Sequence, residues 1–202
     1  MAHGSDRVTG ATIRSHDGSL SEVGCDYVAT GYGLVPNVEL PRLFGCAVTP
    51  AGVVVDDDQA TTVAGIFAAG ECAGIGGEAK SSMEGHVAGR AAVGKGVYGS
   101  TRFWRNRERR WGATLARAFA LRPEVLSLAR PDTIICRCED VRLRDLDSAS
   151  GARQAKLYAR AGMGACQGRV CGAALQAMFG WPMDSTRAPL HPVALSSLLG
   201  VD

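Results

Sequence analysis

Four of the seven cysteines in this 202-residue chain stand in two close pairs. The first pair lies in Cys136-Arg137-Cys138-Glu139. The second closes Gly162-Met163-Gly164-Ala165-Cys166-Gln167-Gly168-Arg169-Val170-Cys171. Thiolates are soft ligands of the kind that zinc and iron–sulfur clusters select. The spacing reads C-x-C, then twenty-seven residues, then C-x4-C. Structural zinc more often uses pairs with two to four intervening residues, and the first pair departs from that. A [2Fe–2S] cluster needs two thiolates on each iron, and two close pairs meet the count, although the plant-type ferredoxin spacing is absent. On spacing alone iron is favoured and zinc stays open.

Such a site dictates its supports. Residues five apart on a continuous helix would point about 140° away from each other. Gln167-Gly168-Arg169 is therefore expected to be a turn, with a helix from Cys171 to about Phe179, stopped by Gly180 and Pro182. Leu143 and Leu146 predict one short helix and Ala152 to Arg160 a second. An apolar core this small needs a staple, and a metal centre is one.

Composition sets the limits. A hydrophobic content of 46%, a charged content of 21% and a net charge of +2 describe an ordinary globular chain. That charge is too small to make nucleic acid or a membrane surface the main partner. No run of 18 apolar residues suits a bilayer, and the N-terminus lacks the apolar core of a secretory signal. Reduced thiols or metal ligands in a cytoplasmic setting are the expectation. Cys25 and Cys46 read as small core residues, and Cys72 as packing with a possible redox role. His3, His16, His86 and His191 have no metal-ligand spacing, and no Ser/His/Asp set can be assembled.

In the first half, Asp17-Gly18 marks a hairpin turn, and Cys25-Asp26-Tyr27-Val28-Ala29-Thr30 reads as a strand ending at Gly31-Tyr32-Gly33. A short helix is expected over Glu39 to Phe44 and a strand over Gly52 to Asp56. Gly65-Ile66-Phe67-Ala68-Ala69-Gly70-Glu71 reads as a buried strand stopping at an acid. Gly74, Gly76 and Gly77 then lead into a helix over 79–93, whose small residues Ala88, Gly89, Ala91 and Ala92 permit close packing. This order suits a nucleotide: unpaired helix N–H groups face phosphates, and a carboxylate accepts from sugar hydroxyls.

Ala29-Thr30-Gly31-Tyr32-Gly33-Leu34-Val35-Pro36-Asn37 and Thr62-Val63-Ala64-Gly65-Ile66-Phe67-Ala68-Ala69-Gly70-Glu71 resemble two late motifs of flavoproteins with paired dinucleotide-binding domains. The resemblance implies FAD contacts from Gly31, Gly33, Pro36, Gly70 and Glu71. The family usually ends its second motif in Gly-Asp, whose acid holds a ribityl hydroxyl; here the acid is Glu71. The only G-x-G-x-x-G is Gly94-Lys95-Gly96-Val97-Tyr98-Gly99. It follows a helix rather than a strand and is read as a false match. The chain thus resembles the C-terminal half of such an enzyme. FAD binding is expected to need a complementing N-terminal segment, and a truncated or split product is one expectation.

The segment 101–128 reads as helical, with Phe103, Trp104, Trp111, Leu115, Phe119 and Leu121 at apolar positions. Arg102, Arg105, Arg107, Arg109 and Arg110 read as a solvated face, or as a docking surface for an acidic partner. The cysteine motifs resemble the [2Fe–2S] domain named after bacterioferritin-associated ferredoxin. They are closer still to the version fused to FAD-containing subunits of opine oxidase, D-hydroxyproline dehydrogenase and hydrogen cyanide synthase-like enzymes. Arg187-Ala188-Pro189-Leu190-His191-Pro192-Val193 resembles the tail of those subunits.

The resemblance implies an α/β fold: a partial two-dinucleotide-binding-domain flavoprotein followed by a small all-α [2Fe–2S] domain. The boundaries expected are 1–99, a basic connector over 100–130, and 131–202. Cys136, Cys138, Cys166 and Cys171 are the implied cluster ligands. The implied role is electron transfer in an FAD- and [2Fe–2S]-dependent oxidoreductase acting on amine or imino-acid substrates with a partner flavoprotein subunit. The alternatives are a non-catalytic iron–sulfur docking module and a zinc-stabilised scaffold.

Overall fold

The computed structural model describes residues 1–182 and 186–200, which fall into two compact units divided after Gly33. In the first, β1 (Ala2–His3), β2 (Gly10–Arg14) and β3 (Leu20–Val23) form an antiparallel sheet in that order. The β2–β3 register pairs Ala11 with Val23 and Arg14 with Leu20. Asp17 fixes the turn as its sequence suggests. Its Oδ1 accepts from the Ser19 hydroxyl at 2.6 Å and the Ser19 N–H at 2.9 Å, while Gly18 supplies φ 84°. Those bonds, the hydroxyl first, hold the Asp17 carboxyl below its ordinary value. The run Cys25–Thr30 is not a strand. It has no ladder partner, and an extended segment without one leaves its N–H and C=O groups to water; Tyr27 is 91% exposed.

The second unit starts with α1 (Glu39–Leu43), whose first N–H bonds Asn37 Oδ1 at 3.1 Å. β4 (Val48–Thr49) and β5 (Gly52–Val53) pair across Pro50-Ala51. The expected strand over Gly65–Glu71 contracts to one bridge, Phe67 with Ala60. Gly65 and Gly70, at φ 80° and 84°, break the extended run at both ends. Cys46, Val53 and Ala68 form a small core here, packed by Val38, Val48, Val55, Val63, Ile66 and Cys72. Among the described residues every sheet is antiparallel.

α2 (Glu78–Ala92) and α3 (Gly99–Ala118) follow. The expected single helix over 101–128 ends at Ala118, and α4 (Pro123–Leu126) is separate. Proline disfavours helical geometry in the residue before it, and Arg122 is extended at ψ 137°. α3 departs in part from the expected faces, although Arg107 and Arg110 are exposed as expected. Arg105 is buried, while Phe103, Trp104, Trp111 and Phe119 are exposed.

The cysteine segment is not all-helical. β6 (Ile134–Cys136) and β7 (Val141–Arg142) form a hairpin. A 3-10 turn over Leu143–Leu146, α5 (Ala152–Ala159) and α6 (Cys171–Phe179) complete it, and α7 (Leu195–Leu199) lies in the tail. Its core gathers Cys136, Val141, Leu146, Ala155, Ala161, Cys171 and Leu175. Leu146 and Leu175 are fully buried, each contributing about 1.5–3 kcal/mol of transfer free energy. Phe179 and Trp181 pack against this core and stack on each other with ring centroids 4.4 Å apart.

Candidate functional site

The hairpin and the 162–171 loop carry the four cysteines. Cys136 ends β6 and is buried, Cys138 sits exposed in the hairpin turn, Cys166 is half-buried, and Cys171 opens α6 and is buried. Contacts run between the loops: Cys138 lies beside Cys166, and Cys136 beside Cys171. Cys166 also lies within electrostatic reach of Cys171. Among the described residues, no group of three or more His, Cys, Asp or Glu side chains is gathered as a metal-ion site.

Left-handed backbone shapes both loops. Asp140, Arg160, Gly162, Gln167 and Gly168 have φ of 51°, 61°, 79°, 52° and 82°. Three of them are not glycine, and such residues concentrate where function outweighs local strain. Around Cys166 this turn aims N–H groups inward. The Val170 N–H above all, then the Cys138 thiol and the N–H groups of Gly168 and Arg169, hold the Cys166 thiol below its ordinary value. Burial opposes them. Gly164 sets the approach of the two loops: a Cβ there would lie 2.2 Å from Cys138 Cβ. Across the same seam Arg160 Nε donates to Glu139 Oε2 at 2.7 Å.

Cys171 goes the other way. Burial first, then the charge and hydrogen bond of Cys136 and the charge of Cys166, push its thiol up to about 12. An unfolded chain releases that proton near pH 8.5, so the folded metal-free protein binds more protons above that pH. The stabilisation is complete below about 8.5 and is lost as pH rises toward about 12. Melting of metal-free protein, followed by circular dichroism from pH 8 to 11, is expected to decline. Cys171→Ala is expected to flatten that decline; an unaltered slope would clear this thiol as its cause.

The glycine turn is built differently. Gly70 precedes a 3-10 turn over Glu71–Ala73, and the Glu71 side chain is exposed. Lys80 Nζ donates to the carbonyls of Gly70 at 3.3 Å and Gly74 at 2.6 Å, and to Glu84 Oε2 at 2.8 Å. The Gly70 N–H donates to the same Glu84 oxygen at 3.1 Å. Arg109 of α3 closes on Glu84 Oε1 at 2.8 Å and also bonds Gln59, whose Nε2 donates to Ala68 O at 2.7 Å. Arg105 binds Asp57, and Arg102 binds Asp58. Lys80, Glu84, Gln59 and Arg105 are all buried.

Sequence reading missed this network, although Lys80 and Glu84 carry a helical i, i+4 spacing. The expected packing by Gly89 and Ala92 does not occur, since both are exposed. Gly76 is required for packing: a Cβ would meet Lys80 Cδ at 2.2 Å, and the Cβ that Gly112 lacks would lie 3.0 Å from Gly76 Cα. Gly77, at φ 85°, starts α2 in open space without a side-chain cap.

Of the other sequence-predicted residues, Gly31 and Gly33 lie exposed at the end of the first unit, and Pro36 is half-buried in the second. Cys46 is buried and its thiol donates to Thr61 Oγ1, while Cys72 donates to Ala69 O. Cys25 is only half-buried, short of the core position expected of it. Gly94 to Val97 is a loop between helices, with no strand before it.

Residues 3–92 match the family model described as pyridine nucleotide-disulphide oxidoreductase, a flavoprotein-type oxidoreductase family. An opine oxidase subunit of Agrobacterium tumefaciens (strain Ach5) is 32% identical over 205 residues, covering 82% of this chain and 39% of that protein. The corresponding opine oxidase subunit of Rhizobium meliloti (strain 1021) is 29% identical, covering 87% and 44%. Hydrogen cyanide synthase subunit HcnB of Pseudomonas aeruginosa is 27% identical, covering 84% and 42%. All three are subunits by name, and the chain spans about two-fifths of their length. No solved structure matches the chain. Among the described residues no helix is long and apolar enough to cross a membrane.

Proposed function

We propose that this chain is the electron-transfer portion of an FAD- and [2Fe–2S]-containing oxidoreductase subunit. It works beside a partner flavoprotein subunit on an amine or imino-acid substrate of the opine or D-hydroxyproline type. Cys136, Cys138, Cys166 and Cys171 are the cluster ligands in this reading. Residues 131–202 are its cluster-binding domain, 100–130 the connector and 1–99 the flavoprotein part. A bound cluster supplies one-electron relay and FAD the two-electron chemistry.

The observation that supports the reading is the close approach of the two cysteine-bearing loops at Gly164, with Cys138 beside Cys166 and Cys136 beside Cys171. Two irons need two thiolates each. Backbone N–H groups already aimed at Cys166 suit an anionic sulfur cluster, whose potential such bonds tune. The buried Cys136 and Cys171 face the apolar core, while Cys138 reaches the surface, where electrons enter and leave.

On the flavin side, Gly31, Gly33, Pro36, Gly70 and Glu71 are the proposed contacts. The exposed Glu71 carboxylate can accept from sugar hydroxyls, and its turn is held by Lys80 and Glu84. The unpaired N–H groups at the start of α2 suit phosphate oxygens. The similarity to relatives named as opine oxidase subunits supports the substrate class and the partner.

The test is anaerobic reconstitution of the full chain with iron and sulfide, followed by the visible spectrum and metal, sulfide and flavin analysis. Two irons and two sulfides per chain are expected, and Cys166→Ser is expected to abolish the cluster bands. Bands unchanged in that variant would refute the ligand set. A colourless zinc-loaded protein would refute the cluster.

A further inference from the structure

We infer that the Glu139–Arg160 ion pair is a potential-setting element of the cysteine centre, in which Arg160 cancels a carboxylate held beside Cys138. The inference rests on the cluster reading above. Glu139 follows Cys138 directly, and its side chain is 19% exposed. Its two oxygens span the seam between the loops: Oε2 accepts from Arg160 Nε at 2.7 Å, and Oε1 would lie 3.3 Å from a Cβ at Gly164.

Stability alone does not account for the pair. Arg160 is 62% exposed, and exposed ion pairs stabilise a fold little. Arg160 is also the C-terminal cap of α5, at φ 61° and ψ 14°. Glycine is the residue that such a left-handed cap favours, because it has no Cβ to crowd the backbone. Asp140, on the other side of Glu139, repeats the pattern at φ 51°. The chain thus keeps a long cation where backbone preference asks for no side chain, and aims it at one carboxylate.

Adding an electron to a cluster adds negative charge, so a lone carboxylate alongside opposes reduction and a lone guanidinium favours it. With both present their fields largely cancel at the thiolates. Removing either should move the potential, and in opposite directions. A purely mechanical latch has no such sign dependence.

The experiment is dithionite redox titration at pH 7 of the reconstituted full-length wild type, Arg160→Gly, Glu139→Gln and the Glu139→Gln/Arg160→Gln double variant. It is followed by the visible bands, with thermal melting alongside. Arg160→Gly is expected to keep or raise the melting temperature while the midpoint becomes more negative. Glu139→Gln is expected to move it more positive, and the double variant to return near wild type. Equal midpoints in all four, or shifts of one sign in both single variants, would overturn the pair's role while leaving the cluster reading intact. Failure of wild type to assemble any cluster would overturn both.

Discussion

Replacing Glu84 by alanine is expected to cost about 3–5 kcal/mol of folding stability, the usual penalty for breaking a buried ion pair by removing one partner. Its side chain is fully buried and both oxygens are used. Oε2 takes Lys80 Nζ and the Gly70 N–H, and Oε1 takes Arg109 Nε. Alanine would strand Lys80, itself only 6% exposed, with two carbonyls and no counter-charge. Urea unfolding should show the loss as a lower midpoint at unchanged slope. Lys80→Met with Glu84→Leu, which removes the buried Lys80–Glu84 pair together, is expected to recover part of it, since Arg109 and the Gly70 N–H still lose their acceptor. A single Glu84→Ala within about 1 kcal/mol of wild type would mean that water replaces the lost carboxylate.

The second large effect belongs to Gly164→Ala. The added methyl would sit 2.2 Å from Cys138 Cβ and 3.3 Å from Glu139 Oε1. The φ at 164 is not in the left-handed region, so the substitution acts through space rather than backbone strain. The hairpin turn must retreat from the 162–171 loop, and overpacking of this kind costs about 1–3 kcal/mol. The functional loss is expected to exceed the stability loss, because Cys138 leaves Cys166 while the core around Leu146 and Leu175 stays closed. Iron content after reconstitution should fall well below two per chain while the far-ultraviolet circular dichroism keeps its shape. Full iron loading would show that the turn can yield without moving the thiol.

Where one residue type settles the geometry, the sequence was readable. Cys171 to Phe179 is helical as expected, because Gly180 caps it at φ 69° and Gln167-Gly168 turns the chain ahead of it. Asp17-Gly18 makes its hairpin for the same kind of reason. Patterns whose meaning depends on distant partners read poorly. Cys25–Thr30 has strand-like residues and no neighbour to pair with. The arginines of α3 look like a solvent face, yet Arg102, Arg105 and Arg109 turn to acids and an amide far back in the chain. Spacing likewise shows two close cysteine pairs but not that Cys138 comes to lie beside Cys166 and Cys136 beside Cys171. C-x-C and C-x4-C fix local geometry only; which thiol meets which depends on how the hairpin docks on α6.

The charged fastening of α3 has a consequence in time. On a chain made from its N-terminus, Asp57, Asp58 and Glu84 emerge before the arginines that neutralise them. Arg109 trails Glu84 by 25 residues, roughly 1–5 s of synthesis at about 5–20 residues per second. Arg105 trails Asp57 by 48 residues, about twice as long. Until then the cation at hand for Glu84 is Lys80, one helical turn before it in the sequence, with the Gly70 N–H also already made. That early pairing keeps the acid from standing alone while the rest of its cage is still being made.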